Sequence, residues 1–234
     1  MQNNKKSRNP DQSKPHDIMP PLSPDDFSPR YFSLETLVAG TWINSVKRGT
    51  YSYQLKKQYG SETPANMIKI VDLDVSLVGI IKSDLSTVNK SSDNLGGDAR
   101  DQIWKNAVII SMHGPPFKCA VADERLNTHL LSENLIAISM NNHIPAAYIS
   151  AYLNSAKGQK EFEKYAPLHS PIVRINENQL KLIEIPLLPD EVCDSVYSWF
   201  ETAYHYECTL NHERIVLSQL ATGIIQAISG ELQK

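Results

Sequence analysis

Short apolar runs separated by polar loops make up the chain as far as residue 140. Val108-Ile109-Ile110 and Leu135-Ile136-Ala137-Ile138 are two such runs, and their β-branched and apolar composition is typical of buried strands. Gly114-Pro115-Pro116 interrupts the first run, because proline cannot donate to a strand ladder, and residues 118–122 resume an extended pattern. The pattern predicts strand, tight turn, strand, polar loop and strand.

Upstream segments extend this β pattern. Residues 67–73 and 75–81 predict two more strands, and residues 82–101 form a long polar loop. Residues 1–30 contain six prolines and almost no β-branched residue, which predicts a disordered Pro-rich arm. We therefore expect an α+β fold in which residues 31–189 form one mixed, mainly antiparallel β domain with short helices.

The period changes after residue 140. Pro145 suits an early helical position, and residues 146–153 have a helical composition. Ser155 is a candidate N-cap for a second helix that continues to Tyr165.

The last segment predicts one long helix over residues 190–230. Apolar positions recur there at alternating steps of four and three, a heptad seam with one acidic exception, Glu213. About 39 residues would span roughly 58 Å, which is too long for a domain of this size and requires another helix as a partner. The seam comprises Val192, Val196, Trp199, Ala203, Tyr206, Leu210, Glu213, Leu217, Leu220, Ile224 and Ala227. The residues predicted to carry oligomerisation are Val196, Trp199, Tyr206, Leu210, Leu217, Leu220 and Ile224.

Charge is unevenly distributed along the chain. The 234 residues carry a net charge of −3, residues 31–190 hold sixteen basic and sixteen acidic side chains, and residues 191–234 hold two basic and six acidic. Any surface that binds nucleic acid must therefore be a local basic patch, and a partner is expected to supply part of the phosphate contact.

Composition also limits the compartment. No apolar run approaches the ~18 residues of a membrane span, and no apolar stretch follows Lys5, Lys6 and Arg8 as it would in a signal peptide. The three cysteines are unclustered, which is typical of small buried residues in a reduced cytoplasm. No His/Cys spacing predicts a metal site.

Motifs for catalysis are missing from the sequence. It has no Asn-Pro-Pro-Tyr tetrapeptide of an amino-methyltransferase, no Gly-x-Gly loop for a nucleotide or S-adenosylmethionine and no Gly-x-Ser-x-Gly elbow. No lysine has Asp or Glu two positions before it, so this half of a common nuclease site is absent. We expect a chain that is not an enzyme and binds no cofactor.

Several motifs follow one another in a definite order along the chain. They begin with Ile109-Ile110-Ser111, Gly114, Lys118 and the segment from Ser132 to Ile136. The most specific ones follow as the segments Leu153-Asn154-Ser155-Ala156-Lys157-Gly158-Gln159, Ser170-Pro171-Ile172-Val173-Arg174-Ile175-Asn176 and Ile185-Pro186-Leu187-Leu188-Pro189. In this order the motifs resemble the target recognition domain of the DNA-specificity subunits of type I restriction–modification enzymes.

The resemblance has consequences and departures. A specificity subunit of this family has two recognition domains and two long antiparallel helices, and this chain resembles half of one. Two positions depart from the family: Lys105-Asn106 stands where Gly-Asp is usual, and Gly114-Pro115-Pro116-Phe117 replaces a Gly-Thr-x-Gly turn. These departures put the backbone contacts of that turn in question.

DNA reading requires side-chain donors and acceptors at base edges and Lys or Arg at phosphates. For any single candidate, the alternative is an ordinary solvated surface position. The predicted DNA-binding residues are Lys56, Lys57, Arg100, His113, Lys118, Asn127, His129, Ser170 and Arg174. Further candidates in or beside the same loops are Lys47, Arg48, Lys90, Asn94 and Arg125.

The sequence thus predicts a DNA-specificity subunit that positions a separate S-adenosylmethionine-dependent DNA methyltransferase on double-stranded DNA. A homodimer or a heteromeric helix pair would complete the assembly, with a restriction or defence effector as a further partner. One alternative is a DNA-binding adaptor of a phage-defence complex without restriction. The other is a coiled-coil module whose only role is protein interaction.

Overall fold

The structure, a computed structural model, describes residues 29–40, 43–49, 67–82, 106–122, 126, 129–141, 143–166 and 173–229. The predicted Pro-rich arm lies outside these ranges except for its last two residues, and the first strand already begins at Arg30. The strands are β1 (Arg30–Ser33), β2 (Ile43–Arg48), β3 (Met67–Ile68), β4 (Leu73–Asp74), β5 (Ile80–Ile81), β6 (Ala107–Ser111), β7 (His113–Gly114), β8 (Cys119–Val121), β9 (Leu130–Leu131), β10 (Leu135–Met140), β11 (Val173–Arg174) and β12 (Glu184–Leu187). The helices are α1 (Leu34–Ala39), α2 (Ala146–Asn154), α3 (Ala156–Tyr165), α4 (Glu177–Leu180) and α5 (Asp190–Ser229).

The predicted runs form the centre of a four-stranded sheet. Its order is β2-β10-β6-β8, and all of its pairs are antiparallel. Of the two-stranded ladders among the described residues, β1–β12, β7–β11 and β4–β5 are antiparallel and β3–β9 is parallel. The predicted α+β fold with a mixed, mainly antiparallel sheet and a long C-terminal helix is confirmed.

Both faces of this sheet are covered, which explains why its strands are continuously apolar. Along β6, Val108 and Ile110 belong to one buried cluster with the apolar face of α2. Ile109, between them, belongs to a second cluster with Ile68 and Leu73. Alternate side chains of a strand point to opposite faces, so a strand buried on both faces shows no polar alternation.

Local capping explains the helix pair that follows the sheet. Ser155 ends α2 and begins α3, and its hydroxyl accepts a hydrogen bond from the Gly158 amide at 3.2 Å. A side-chain oxygen at this position satisfies one of the otherwise unpaired amides of the first turn. The predicted break between the two helices is therefore present at Ser155.

Residues 67–81 differ from the two strands predicted there. A 3-10 turn, Ile70–Asp72, separates β3 from β4, because the Asp72 carboxylate accepts from the Lys69 amide at 2.8 Å and folds the chain back. Residues 75–79 form a bend, and only β5 continues as a strand. This bend is held by a side chain of α5, a contact that local hydrophobic pattern cannot reveal.

Candidate DNA-binding edge

A two-stranded ladder at one edge of the domain carries two of the predicted DNA-binding residues. β7 pairs with β11 so that His113 lies opposite Arg174, and both side chains are half-buried. The hydroxyl of Ser111, at the end of β6, donates to the His113 carbonyl at 3.0 Å and accepts from the Lys118 amide at 2.7 Å. Three predicted residues, His113, Lys118 and Arg174, are therefore brought to one turn.

The surroundings of His113 favour its neutral form. Burial, and then the positive charge of Arg174, lower the pKa of the imidazole, while the carboxylate of Glu133 acts in the opposite direction. Its Nε2 atom is buried and has no hydrogen-bond partner among the described residues. Buried polar atoms are normally paired, so this nitrogen is an exception, and a ligand could reach it only if the groups that bury it moved.

Lys118 lies on the other side of the turn. Its ammonium donates to the Leu73 carbonyl oxygen at 3.3 Å, and the side chain is half-buried. An ammonium has three donors, so this bond leaves two of them for other acceptors. The bond also draws Lys118 toward β4.

The Gly-Pro-Pro-Phe turn is fixed from beneath by α3. Pro115 and Pro116 are exposed, whereas Phe117 is buried and stacks on Phe162 with ring centroids 4.7 Å apart. The Gln159 amide accepts from the Phe117 N–H at 2.9 Å and donates to the Phe117 carbonyl at 2.7 Å. Gly114-Pro115-Pro116-Phe117, which departs from the Gly-Thr-x-Gly turn of the resembling family, is anchored to α3 by the ring of Phe117.

The motif from Leu153 to Gln159 has a supporting role in this fold. Asn154 accepts from the Cys119 amide and donates to the Cys119 carbonyl, both at 2.9 Å, so it holds the start of β8. A Cβ on Gly158 would lie 2.2 Å from the Tyr152 carbonyl oxygen, so only glycine fits at this position. Sequence reasoning found this motif by resemblance but did not identify Asn154 and Gln159 as the residues that shape the edge.

The other candidates are placed less favourably or lie elsewhere. The side chain of His129 is 4% exposed, so it can touch DNA only if the surrounding chain moves. Lys47 and Arg48 lie half-buried on the edge strand β2. The remaining candidates fall outside the described residues: Lys56, Lys57, Lys90, Asn94, Arg100, Arg125, Asn127 and Ser170.

The long helix α5 packs on the domain with a face different from its heptad seam. Tyr197 and Phe200 contact the ring of Tyr148, with centroids 5.0 and 5.4 Å apart, and Tyr204 packs against the same core. The helix turns about 100° per residue. Because each of these three residues follows a seam residue by one position, the packed face lies about that angle away from the seam.

The seam itself is largely exposed in the single chain. Val196 and Ala203 are half-buried, and Ala203 packs against the core, whereas most of the other seam positions beyond Val196 are exposed. These exposed positions are Trp199, Tyr206, Leu210, Leu217, Leu220 and Ile224. Burial of the seam against another helix stays a prediction.

Other kinds of site are not evident in the described part of the chain. No group of three or more His, Cys, Asp or Glu side chains could hold a metal ion there. Cys119 is fully buried in the core. None of the described helices combines the length and apolar character needed to cross a membrane.

No protein-family model and no curated protein matches the sequence. A chain from a structural study of complex assembly and conformational transition of the type I restriction–modification system has a TM-score of 0.48 and 14% identity, over 88% of this chain and 50% of that chain. The S subunit of a type I restriction–modification system from M. genitalium has a TM-score of 0.43 and 13% identity, over 84% of this chain and 45% of that one. Both neighbours come from type I restriction–modification systems. The chain spans about half the length of each.

Proposed function

We propose that this chain is a sequence-specific DNA recognition subunit that positions a partner S-adenosylmethionine-dependent methyltransferase on double-stranded DNA in the cytoplasm. The observation that carries this proposal is the edge formed by His113, Lys118 and Arg174. His113 and Arg174 lie opposite each other there, and Lys118 follows on the other side of an exposed Pro-Pro turn that Gln159 holds in shape. The family resemblance of the sequence motifs points to the same role.

The edge supplies both kinds of contact that DNA recognition needs. The charged groups of Lys118 and Arg174 suit phosphate oxygens, and Arg174 also suits a guanine edge. His113 offers an unpaired Nε2 to a base edge, and because this atom is buried, the contact requires the surrounding side chains to move when DNA binds. The turn at residues 114–117 is held in one shape by Gln159. It therefore loses less conformational entropy when it binds a ligand.

In this proposal the partner methyltransferase carries out the methyl transfer. The chain lacks the sequence motifs for S-adenosylmethionine binding or nucleophilic attack, and its own contribution is recognition and placement. The exposed seam of α5 is the proposed attachment surface, for an antiparallel second copy or for a helix of the methyltransferase. With two copies related by a two-fold axis, the target would be a two-part palindrome.

Co-purification followed by methylome sequencing tests this function. The tagged full chain, expressed with its genomic neighbours, should retain a methyltransferase, and its deletion should remove one methylated sequence motif from the genome. Retention of a defence effector with no methylated motif would favour the phage-defence adaptor. Salt-independent retention of protein partners without any DNA binding would favour the interaction module, since phosphate contacts make binding salt-dependent.

A further inference from the structure

One carboxylate of α5 is inserted into the bend at residues 76–79 of the recognition domain. Glu207 accepts from the Ser76 hydroxyl at 2.6 Å, from the Leu77 amide at 2.7 Å and from the Val78 amide at 3.3 Å. The partners are separated from Glu207 by 129 to 131 positions in the sequence. Hydrogen bonds to a charged acceptor are about twice as strong as neutral ones, so this is a specific link between the helix and the domain.

The bend that receives Glu207 is itself fixed to the core. Gly79 has a φ of +89°, and a Cβ there would lie 2.1 Å from the Cys119 carbonyl oxygen. The Gly79 carbonyl accepts from the Val121 amide at 3.0 Å, and Asn154 donates to the Val78 carbonyl at 3.3 Å. The Glu207 carboxylate therefore binds a bend that is itself hydrogen-bonded to β8 and α2, the same elements that support the DNA-binding edge.

Two anchor points define the direction of a helix, whereas one anchor leaves a pivot. The first anchor is the apolar contact of α5 with the core, in which Tyr197 and Phe200 contact Tyr148 and Tyr204 packs one turn further along. Glu207 adds a polar link three residues beyond Tyr204. Glu207 lies ten residues after Tyr197, about 15 Å along the axis, and Ser229 lies about 48 Å from Tyr197 at 1.5 Å per residue. A displacement of ~1 Å at Glu207 would thus become ~3 Å at Ser229.

The second polar link is weaker. Arg214 approaches Asp74 at 3.9 Å, with 63% of the Arg214 side chain exposed. Asp74 also pairs with Lys82 at 3.2 Å. Exposed pairs of this kind contribute little because water and salt screen them, so Glu207 is the stronger restraint.

We infer that Glu207 is a positioning residue, which sets the angle at which α5 leaves the recognition domain. Under the proposed function, on which this consequence rests, that angle fixes the distance between this domain and whatever is bound along the distal half of α5. One base-pair step is 3.4 Å. This is about the displacement of Ser229 that accompanies a movement of ~1 Å at Glu207. Glu207 would then set the spacer length between the two halves of the target.

A distance measurement within the chain tests the inference without DNA. Spin labels are placed at Glu163 on α3 and Gln226 on α5 through an azide-bearing amino acid, so that the native cysteines stay unchanged. Labelled chain is diluted into excess unlabelled chain. Double electron–electron resonance then reports only the distance between the two spin labels of one molecule. The variants are Glu207→Ala, Glu207→Gln and the matched control Glu201→Ala, which removes an exposed carboxylate outside the seam, six residues earlier on α5.

The expected result is a distance distribution that is broader in Glu207→Ala, by about 3 Å for each ~1 Å of movement at position 207 according to the lever arm above, and unchanged in Glu201→Ala. Glu207→Gln keeps one acceptor oxygen and should broaden less. If Glu207→Ala fails to fold, the comparison of Glu207→Gln with Glu201→Ala decides. Equal widths in the control and in every folded Glu207 variant would overturn the inference.

A DNA-binding assay distinguishes failure of this inference from failure of the proposed function. A broadened distribution in a complex that does not bind DNA would reject the function and leave the positioning role intact. In a complex that does bind DNA, Glu207→Ala should lose discrimination between targets whose spacers differ by one base pair. Retention of full discrimination alongside unchanged distances would count against Glu207 on both readouts.

Discussion

Replacing Leu217 and Leu220 by aspartate tests whether the exposed seam of α5 is an assembly surface. Both side chains point away from the domain, with 65% and 58% of their surface exposed. The substitutions therefore disturb no core contact of the single chain, and its unfolding free energy should change by no more than about 0.5 kcal/mol. Any large effect must come from association.

The size of that effect follows from the exposed fractions. Full burial of a leucine contributes about 1.5–3 kcal/mol, so three-fifths of it leaves about 1–2 kcal/mol per residue for a partner helix. A symmetric dimer contains four such leucines, and their loss costs about 4–7 kcal/mol. At 1.4 kcal/mol per tenfold, the dissociation constant should rise by about three to five powers of ten, before the cost of burying carboxylates is added.

Size-exclusion chromatography with light scattering measures the outcome. The unmodified chain, alone or with its methyltransferase, should assemble, and Leu217→Asp/Leu220→Asp should not. Ser218→Asp/Thr222→Asp is the matched control, because it adds the same two charges on the same turns but off the seam. The reasoning fails if both double variants dissociate equally, or if the unmodified chain remains a monomer that no partner binds.

Further expectations concern the DNA-binding edge. Alanine at His113, Lys118 and Arg174 should weaken DNA binding by the assembled complex, lowering the salt slope by about one per phosphate contact and relaxing one base position by ~1–3 kcal/mol per base contact. Unchanged affinity and salt slope in fluorescence anisotropy would remove them from the interface. Gln159→Ala leaves the Phe117 amide and carbonyl unpaired and should lower the unfolding free energy in urea by about 2–6 kcal/mol, at 1–3 kcal/mol per buried group. Lys160→Ala, an exposed neighbour on α3, should change it by less than about 0.5 kcal/mol. The purified chain alone should transfer no methyl group from radiolabelled S-adenosylmethionine and cleave no plasmid, and either activity in partner-free protein would contradict its proposed role.

The sequence by itself determined the elements whose signal is local and repetitive. The apolar runs around Ile109 and Ile136 predicted the central strands, because burial on both sheet faces requires continuous apolar residues. Ser155 predicted a helix start, because capping depends only on the next three residues. The heptad steps predicted the long helix, because 3.6-residue periodicity is visible in any single helix.

Tertiary structure alone decided how these elements meet. The second strand predicted for residues 75–81 is shorter than expected because a bend there is stabilised by Glu207, more than a hundred positions away. The heptad pattern likewise does not reveal the second face of α5, where Tyr197 and Phe200 contact Tyr148. His113 and Arg174 were separate candidates in the sequence, and only the pairing of β7 with β11 brought them together. Contacts of this kind depend on which surfaces the folded chain brings into range, and no local pattern encodes that.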